Sequence, residues 1–133
     1  MSSANIPKIR KRLSELNILC VGRDIIYGLN KIKCHQKTKE TFEHFIIKAA
    51  IGKCAMKLDD NIISEYELPT GGSIDILHIK QNSTIAYEIE GGPTRHYRDI
   101  EGVDQIDISL QKMPQDVKDA IKKLEDWATL WIV

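Results

Sequence analysis

Three acids on two neighbouring segments carry the most direct chemistry in this chain. Asp75 lies in Ser-Ile-Asp-Ile-Leu-His-Ile (73–79), and Glu88 and Glu90 lie in Thr-Ile-Ala-Tyr-Glu-Ile-Glu (84–90). Both segments are rich in isoleucine and bounded by turn residues, so both are predicted strands. Along 84–90 the two-residue period turns Ile85, Tyr87 and Ile89 one way and Ala86, Glu88 and Glu90 the other. A two-residue turn at Gln81-Asn82 sets Asp75 opposite Glu88, whereas a turn at 82–83 sets it opposite Glu90. A three-residue turn would oppose Asp75 with Ile89 and spoil the pattern. Cross-strand partners have Cβ atoms roughly 4.5–5.5 Å apart, and two like charges at that distance repel. Such an arrangement asks for a compensating cation. Carboxylate oxygens are hard ligands, and Mg²⁺ or Mn²⁺ held by them can polarise a phosphodiester and activate water.

The elements that must position these acids can be read in order. Residues 6–17 place Ile6, Ile9, Leu13 and Leu16 at helical spacing among Lys and Arg, a basic amphipathic helix with Pro7 in its first turn. Residues 18–28 read as a short strand or turn. A second helix is predicted over about 39–57, with Phe42, Phe45, Ile46, Ala49 and Ala50 on one stripe and Thr38 or Thr41 as its cap. Strands follow at 62–68, 73–79 and 84–90, as a meander with turns at Thr70-Gly71-Gly72 and near Gln81-Asn82-Ser83. Gly91-Gly92-Pro93 ends the third. A fourth strand covers 103–110, and Pro114 opens a last helix carrying Val117, Ala120, Ile121, Leu124, Trp127, Ala128 and Trp131. Helices first and an antiparallel meander after them argue a mixed α/β or α+β domain.

Length and charge agree with a single domain over residues 1–133. Lys plus Arg and Asp plus Glu are equal at 19 each, yet unevenly spread. Residues 1–57 hold 12 Lys/Arg against 4 Asp/Glu, and residues 58–133 hold 7 against 15. The basic half suits a polyanion, and the acidic half suits a divalent cation. No run reaches the roughly 18 consecutive apolar residues of a membrane span. The first residues lack the apolar core of a secretory signal. Cys20, Cys34 and Cys54 are too few and too scattered for a disulfide framework, so an intracellular, cytoplasmic setting is expected. Zinc spacing, phosphate-binding glycine loops and a serine nucleophile elbow are all missing.

The helix with an acid, then Gly-Ser-Ile-Asp-Ile-Leu, a turn and Ile-Ala-Tyr-Glu-Ile-Glu, resembles the PD-(D/E)xK, or restriction-endonuclease-like, nuclease superfamily over roughly residues 40–110. The resemblance implies a core of a helix, a three-stranded meander and a further strand. It implies that Asp75 and Glu88 are metal ligands, with Glu43 as the helix acid. Glu90 stands where that superfamily usually has Lys, and would serve as a further ligand or a general base. Lys48 and Lys80 are the nearest lysines to that role, and both read more simply as solvated charges. His44 is either a base or a structural histidine. Glu65 and Glu67 share one strand face and read as edge-strand charges, with a place near the metal as the alternative for either. The expected activity is metal-dependent hydrolysis of DNA phosphodiesters, with Mg²⁺ or Mn²⁺ as cofactor. Arg10, Arg12, Lys33, Lys37, Arg95 and Arg98 would contact phosphates. Cutting two strands would favour a homodimer, with Trp127 and Trp131 as core or interface anchors. The alternatives are a catalytically inactive nucleic-acid-binding module of the same fold, or a structural interaction protein.

Overall fold

The computed structural model of the chain describes residues 6–15, 28–34, 40–67, 73–90 and 102–132. Its elements are α1 (Ile6–Glu15), α2 (Phe42–Lys57), β1 (Asn61–Glu67), β2 (Ser73–Ile79), β3 (Thr84–Glu90), β4 (Val103–Ser109), a short 3-10 turn (Leu110–Lys112) and α3 (Gln115–Thr129). The domain is mixed α/β, as the order of helical and strand periods predicts. The strands form one sheet in the order β1-β2-β3-β4. β1, β2 and β3 are an antiparallel meander. β4 is parallel to β3, with Glu88 level with Asp107 and Glu90 level with Ser109.

Each element has a local cause. The Thr41 side chain caps α2 by accepting the His44 N–H at 3.1 Å. That satisfies one donor that a helix start leaves open. The β2–β3 hairpin closes on Gln81-Asn82, with the Lys80 N–H donating to the Ser83 carbonyl at 2.9 Å. This is the turn that opposes Asp75 with Glu88. β2 places apolar residues on both faces, Ile74, Leu77 and Ile79 toward α1 and Ile76 toward α2, because both faces of the sheet are covered.

One face meets α1. Ile9 and Leu13 pack there with Ile63, Tyr66, Ile74, Leu77, Ile79 and Ala86. The other face meets α2, where Ala55 packs with Ile62 and Ile76, and Tyr87 joins from β3. α2 comes very close to β1 at Gly52. A Cβ there would lie 2.9 Å from Ile62 Cδ1 and 3.1 Å from Ile32 Cδ1. A glycine inside a helix costs roughly 0.5–1 kcal/mol against alanine, and here it makes room for the sheet. The outer edge of β1 is covered by residues 28–33. The Asn30 N–H donates to the Ile62 carbonyl at 2.9 Å, and Asn30 Oδ1 accepts the Ile62 N–H at 3.0 Å. An exposed strand edge invites pairing with other chains, and this segment blocks it.

α3 rests lightly on α2. Ile121 is buried, but Leu124, Trp127 and Trp131 are exposed, the last two at 58% and 75%. The tryptophans therefore do not form a core; they meet each other edge to face at 6.0 Å. The segment 18–27 and the turn at 70–72 lie outside the described residues.

Candidate functional site

The site is built where β2 and β3 part. The hairpin register runs Ile79↔Thr84, His78↔Ile85, Leu77↔Ala86 and Ile76↔Tyr87. One residue further, the same register sets Asp75 across from Glu88. At this point the Ile89 N–H donates at 2.7 Å to Asp75 Oδ2. A carboxylate thus takes a strand N–H that a ladder would give to a carbonyl. The hydrogen bond draws the Asp75 side chain into the gap between the two strands.

The neighbouring rung of β1 and β2 is irregular as well. Ser64 pairs with Ile76 and Tyr66 with Ile74, so Glu65 is the residue facing Asp75. Glu65 has φ = 51°, a left-handed conformation that few non-glycine residues adopt. The core shows the consequence. In β1 the α1-side residues run from Ile63 to Tyr66, and in β2 from Ile74 to Leu77 before Ile79. Both steps are three residues, not two, and both cross the Glu65–Asp75 rung. The strand alternation slips there and turns two acids toward α2. Such local irregularities re-aim side chains and concentrate near functional sites.

α2 meets these acids with a histidine and a lysine four residues apart on one helix face. Lys48 is fully buried, with Nζ 2.6 Å from Glu40 Oε2 and 2.9 Å from Glu65 Oε1. Its ammonium also lies 5.4 Å from the centre of the Phe45 ring. Burial pulls the lysine pKa down, but the hydrogen bonds to Glu40 and Glu65 outweigh it and hold the pKa above its ordinary value. Lys48 is therefore no solvated charge. Its nearest counterpart in the notion of a replacement lysine, Lys80, is exposed on the hairpin. His44 is held by Glu40, whose Oε2 is 2.7 Å from Nδ1, and its Nε2 lies 3.5 Å from Asp75 Oδ2. The contact with Asp75 raises the His44 pKa most; burial opposes it and Glu40 adds to it. The Ser73 hydroxyl reaches Glu65 Oε2 at 3.4 Å.

The structure thus gathers Glu40, His44, Lys48, Glu65 and Asp75. Of these, only Asp75 stands out from strand spacing. His44 and Lys48 at i, i+4 are visible in the sequence, but nothing in it says that this face meets the sheet. Glu65 is not an edge-strand charge: it is 8% exposed and faces Lys48. Glu43 makes none of these contacts, since the helix face turned to the acids is that of His44 and Lys48.

The expected trio of Asp75, Glu88 and Glu90 does not come together as one cluster. Among the described residues no group of three or more His, Cys, Asp or Glu is placed to hold a metal ion. Glu88 is buried at 5% exposure. Alternation along β3 puts it with Ala86, on the α1 side, while Asp75 leans toward α2. The physical reason is the slipped rung, which a strict two-residue period cannot show. Arg10 and Arg12 lie on α1, and Arg12 Nε donates to the buried Thr84 hydroxyl at 3.4 Å. Lys33 is exposed beside the β1 edge. Lys37, Arg95 and Arg98 lie outside the described residues. Among the described residues no helix is long and apolar enough to cross a membrane. No family model matches this chain, and no curated protein or solved structure is similar enough to it to identify a relative.

Proposed function

We propose that this protein is a metal-dependent nuclease that hydrolyses DNA phosphodiesters at the rung of Asp75 and Glu88, on a restriction-endonuclease-like core. The observation that supports this reading is the break in the β2–β3 ladder after Ile76↔Tyr87, where the register runs on to bring the Asp75 backbone level with Glu88 and one Asp75 oxygen takes the Ile89 N–H, the two side chains leaning to opposite faces. Magnesium takes one or two carboxylates from a protein, with waters and phosphate oxygens completing its shell. Asp75 offers one such carboxylate on the α2 side, and Glu88, on the α1 side, would join it only by turning through the open rung; a three-carboxylate cage including Glu90 is not what supports the reading. Bound there, Mg²⁺ or Mn²⁺ would supply Lewis-acid polarisation of a phosphodiester.

The chain's own groups have separable tasks in this reading. The Ile89 N–H fixes one oxygen of Asp75. Lys48 fixes Glu40, and Glu40 in turn orients His44 beside Asp75. His44 offers a donor to an anionic oxygen at that edge. Glu90, where the resembled superfamily has Lys, lies two residues beyond Glu88 and level with Ser109. A homodimer able to cut both strands would use the exposed Trp127 and Trp131 surface; sedimentation as a monomer at micromolar concentration would remove that part of the reading.

The test is cleavage of plasmid and single-stranded DNA in Mg²⁺ and in Mn²⁺. Asp75→Asn keeps an acceptor for the Ile89 N–H, and Glu88→Gln keeps the side-chain shape. The expected outcome is metal-dependent cleavage abolished in both. A second reading, an inactive nucleic-acid-binding module, is favoured by one observation: Lys48 and His44 already offset the acids gathered around them. DNA binding without cleavage in either metal would establish it.

A further inference from the structure

A second polar region lies at the opposite end of β2. Here α1, the turn between α2 and β1, and the β2–β3 hairpin enclose a cavity of about 420 Å³. Three cations line it: Lys8 and Arg12 from α1, and Lys80 from the hairpin. They come from segments some seventy residues apart in sequence, so only the fold brings them together. Among the described residues none of the three forms an ion pair. Arg12 is tethered by a hydrogen bond from Nε to the Thr84 hydroxyl at 3.4 Å, and among the described residues its outer guanidinium nitrogens make no hydrogen bond.

Two acids also line the cavity, Asp59 and Asp60. Asp60 is engaged elsewhere: its Oδ2 is 2.8 Å from Nε2 of the buried His78. Asp59 is exposed on the turn. The charge left to act on a ligand is therefore positive. Arginine with a fixed guanidinium and flexible lysines around it is the chemistry that grips a phosphate.

We infer that the Lys8–Arg12–Lys80 cavity is a phosphate-binding site, and that its ligand is a backbone phosphate of the nucleic acid whose cleavage is proposed above. The second half rests on that reading; the first does not. Lys80 lies five residue steps beyond Asp75, just past the end of β2, which at roughly 3.3 Å each is about 17 Å. Along one strand of a duplex this corresponds to about five base steps. The site would therefore anchor the backbone away from the bond that is cut and set where the strand enters.

The experiment uses the full chain and its Lys8→Gln/Lys80→Gln double variant. Both lysines are exposed and, among the described residues, unpaired, so the variant should fold as the parent does, which its melting curve checks. Lys122→Gln, on the exposed face of α3, is the control. Binding of fluorescent duplex and single-stranded oligonucleotides is measured by anisotropy over a salt series. Losing two phosphate contacts should weaken binding at every sequence and flatten the slope of log K against log salt by about two. The control should leave both unchanged. Equal affinity and equal slope in parent and double variant would overturn the site.

A second arm adds inorganic phosphate and follows the melting temperature. A rise in the parent that is missing in the double variant, without oligonucleotide binding, assigns the cavity to a small phosphate ligand and overturns the backbone assignment. Cleavage assays keep the two proposals apart. Lysine-dependent binding with no cleavage under any metal would end the nuclease reading and leave this site standing. Cleavage with binding indifferent to both lysines would do the reverse.

Discussion

The two ends of β2 hold similar numbers of charges and use them in opposite ways. At the Asp75 end the charges are buried and satisfy one another: Lys48 is fully buried between Glu40 and Glu65, and His44 bridges Glu40 and Asp75. At the Lys80 end the cations are open and form no ion pairs among the described residues. Burial is what separates them. A charge removed from water must be paired or it costs several kcal/mol, whereas a solvated charge can stay unpaired until a ligand arrives. The first end is thus rigid and internally committed, with only the edge of Asp75 and His44 open to solvent. The second is a surface kept ready for an anion.

The comparison breaks most sharply at Lys48. Lys48→Met leaves Glu40 and Glu65 buried without their cation. Breaking a buried pair in this way costs about 3–5 kcal/mol, read as a lowered urea midpoint. Restoring neutrality with Glu40→Gln and Glu65→Gln in the same chain should recover much of it; no recovery would mean that Lys48 matters for packing and not for charge.

Asp75→Ala removes the acceptor of the buried Ile89 N–H. An orphaned buried donor costs about 1–3 kcal/mol, and Asp75→Asn should cost clearly less because an acceptor remains. Equal losses in the two variants would show that the carboxylate charge, through His44, outweighs the strand hydrogen bond.

The pH dependence sharpens the same end. His44 has its pKa raised in the folded chain, chiefly by Asp75. Its contribution to stability is complete below the unfolded value of 6.5 and is lost as pH rises through the raised folded value. Melting temperature should therefore fall over that range in the parent. In His44→Gln that part of the slope should disappear.

At the open end the effect on stability should be the smallest. Lys80→Gln touches a side chain that is exposed and, among the described residues, unpaired, and should change stability by less than about 0.5 kcal/mol. A larger loss would mean that Lys80 is engaged within the protein, and the contrast between the two ends would fail.

Much of the fold was legible in the chain. β2 and β3 occupy the predicted 73–79 and 84–90, and β1, β4 and all three helices begin and end within three residues of their expected limits. Turn chemistry and alternation left two hairpin registers, and the structure takes the one that turns at Gln81-Asn82. The candidate site was legible only in part. Asp75 stands out because strand period and charge agree there; Glu88 stands out for the same reason but lies on the α1 side. His44, Lys48 and Glu65 do not, because a helix face has no visible partner in sequence, and the left-handed turn of Glu65 breaks the period by which strands are read.

The sequence alone determined the local elements, the uneven spread of charge and the pairing of β2 with β3, since these depend on residues close together in the chain. Tertiary structure decided the rest. It placed β4 parallel beside β3, buried Lys48 between two acids, turned Glu65 and Asp75 toward α2, and brought Lys8 and Arg12 to the hairpin carrying Lys80. Each of these depends on which surfaces close together and exclude water, and burial, unlike periodicity, is a property of the folded whole.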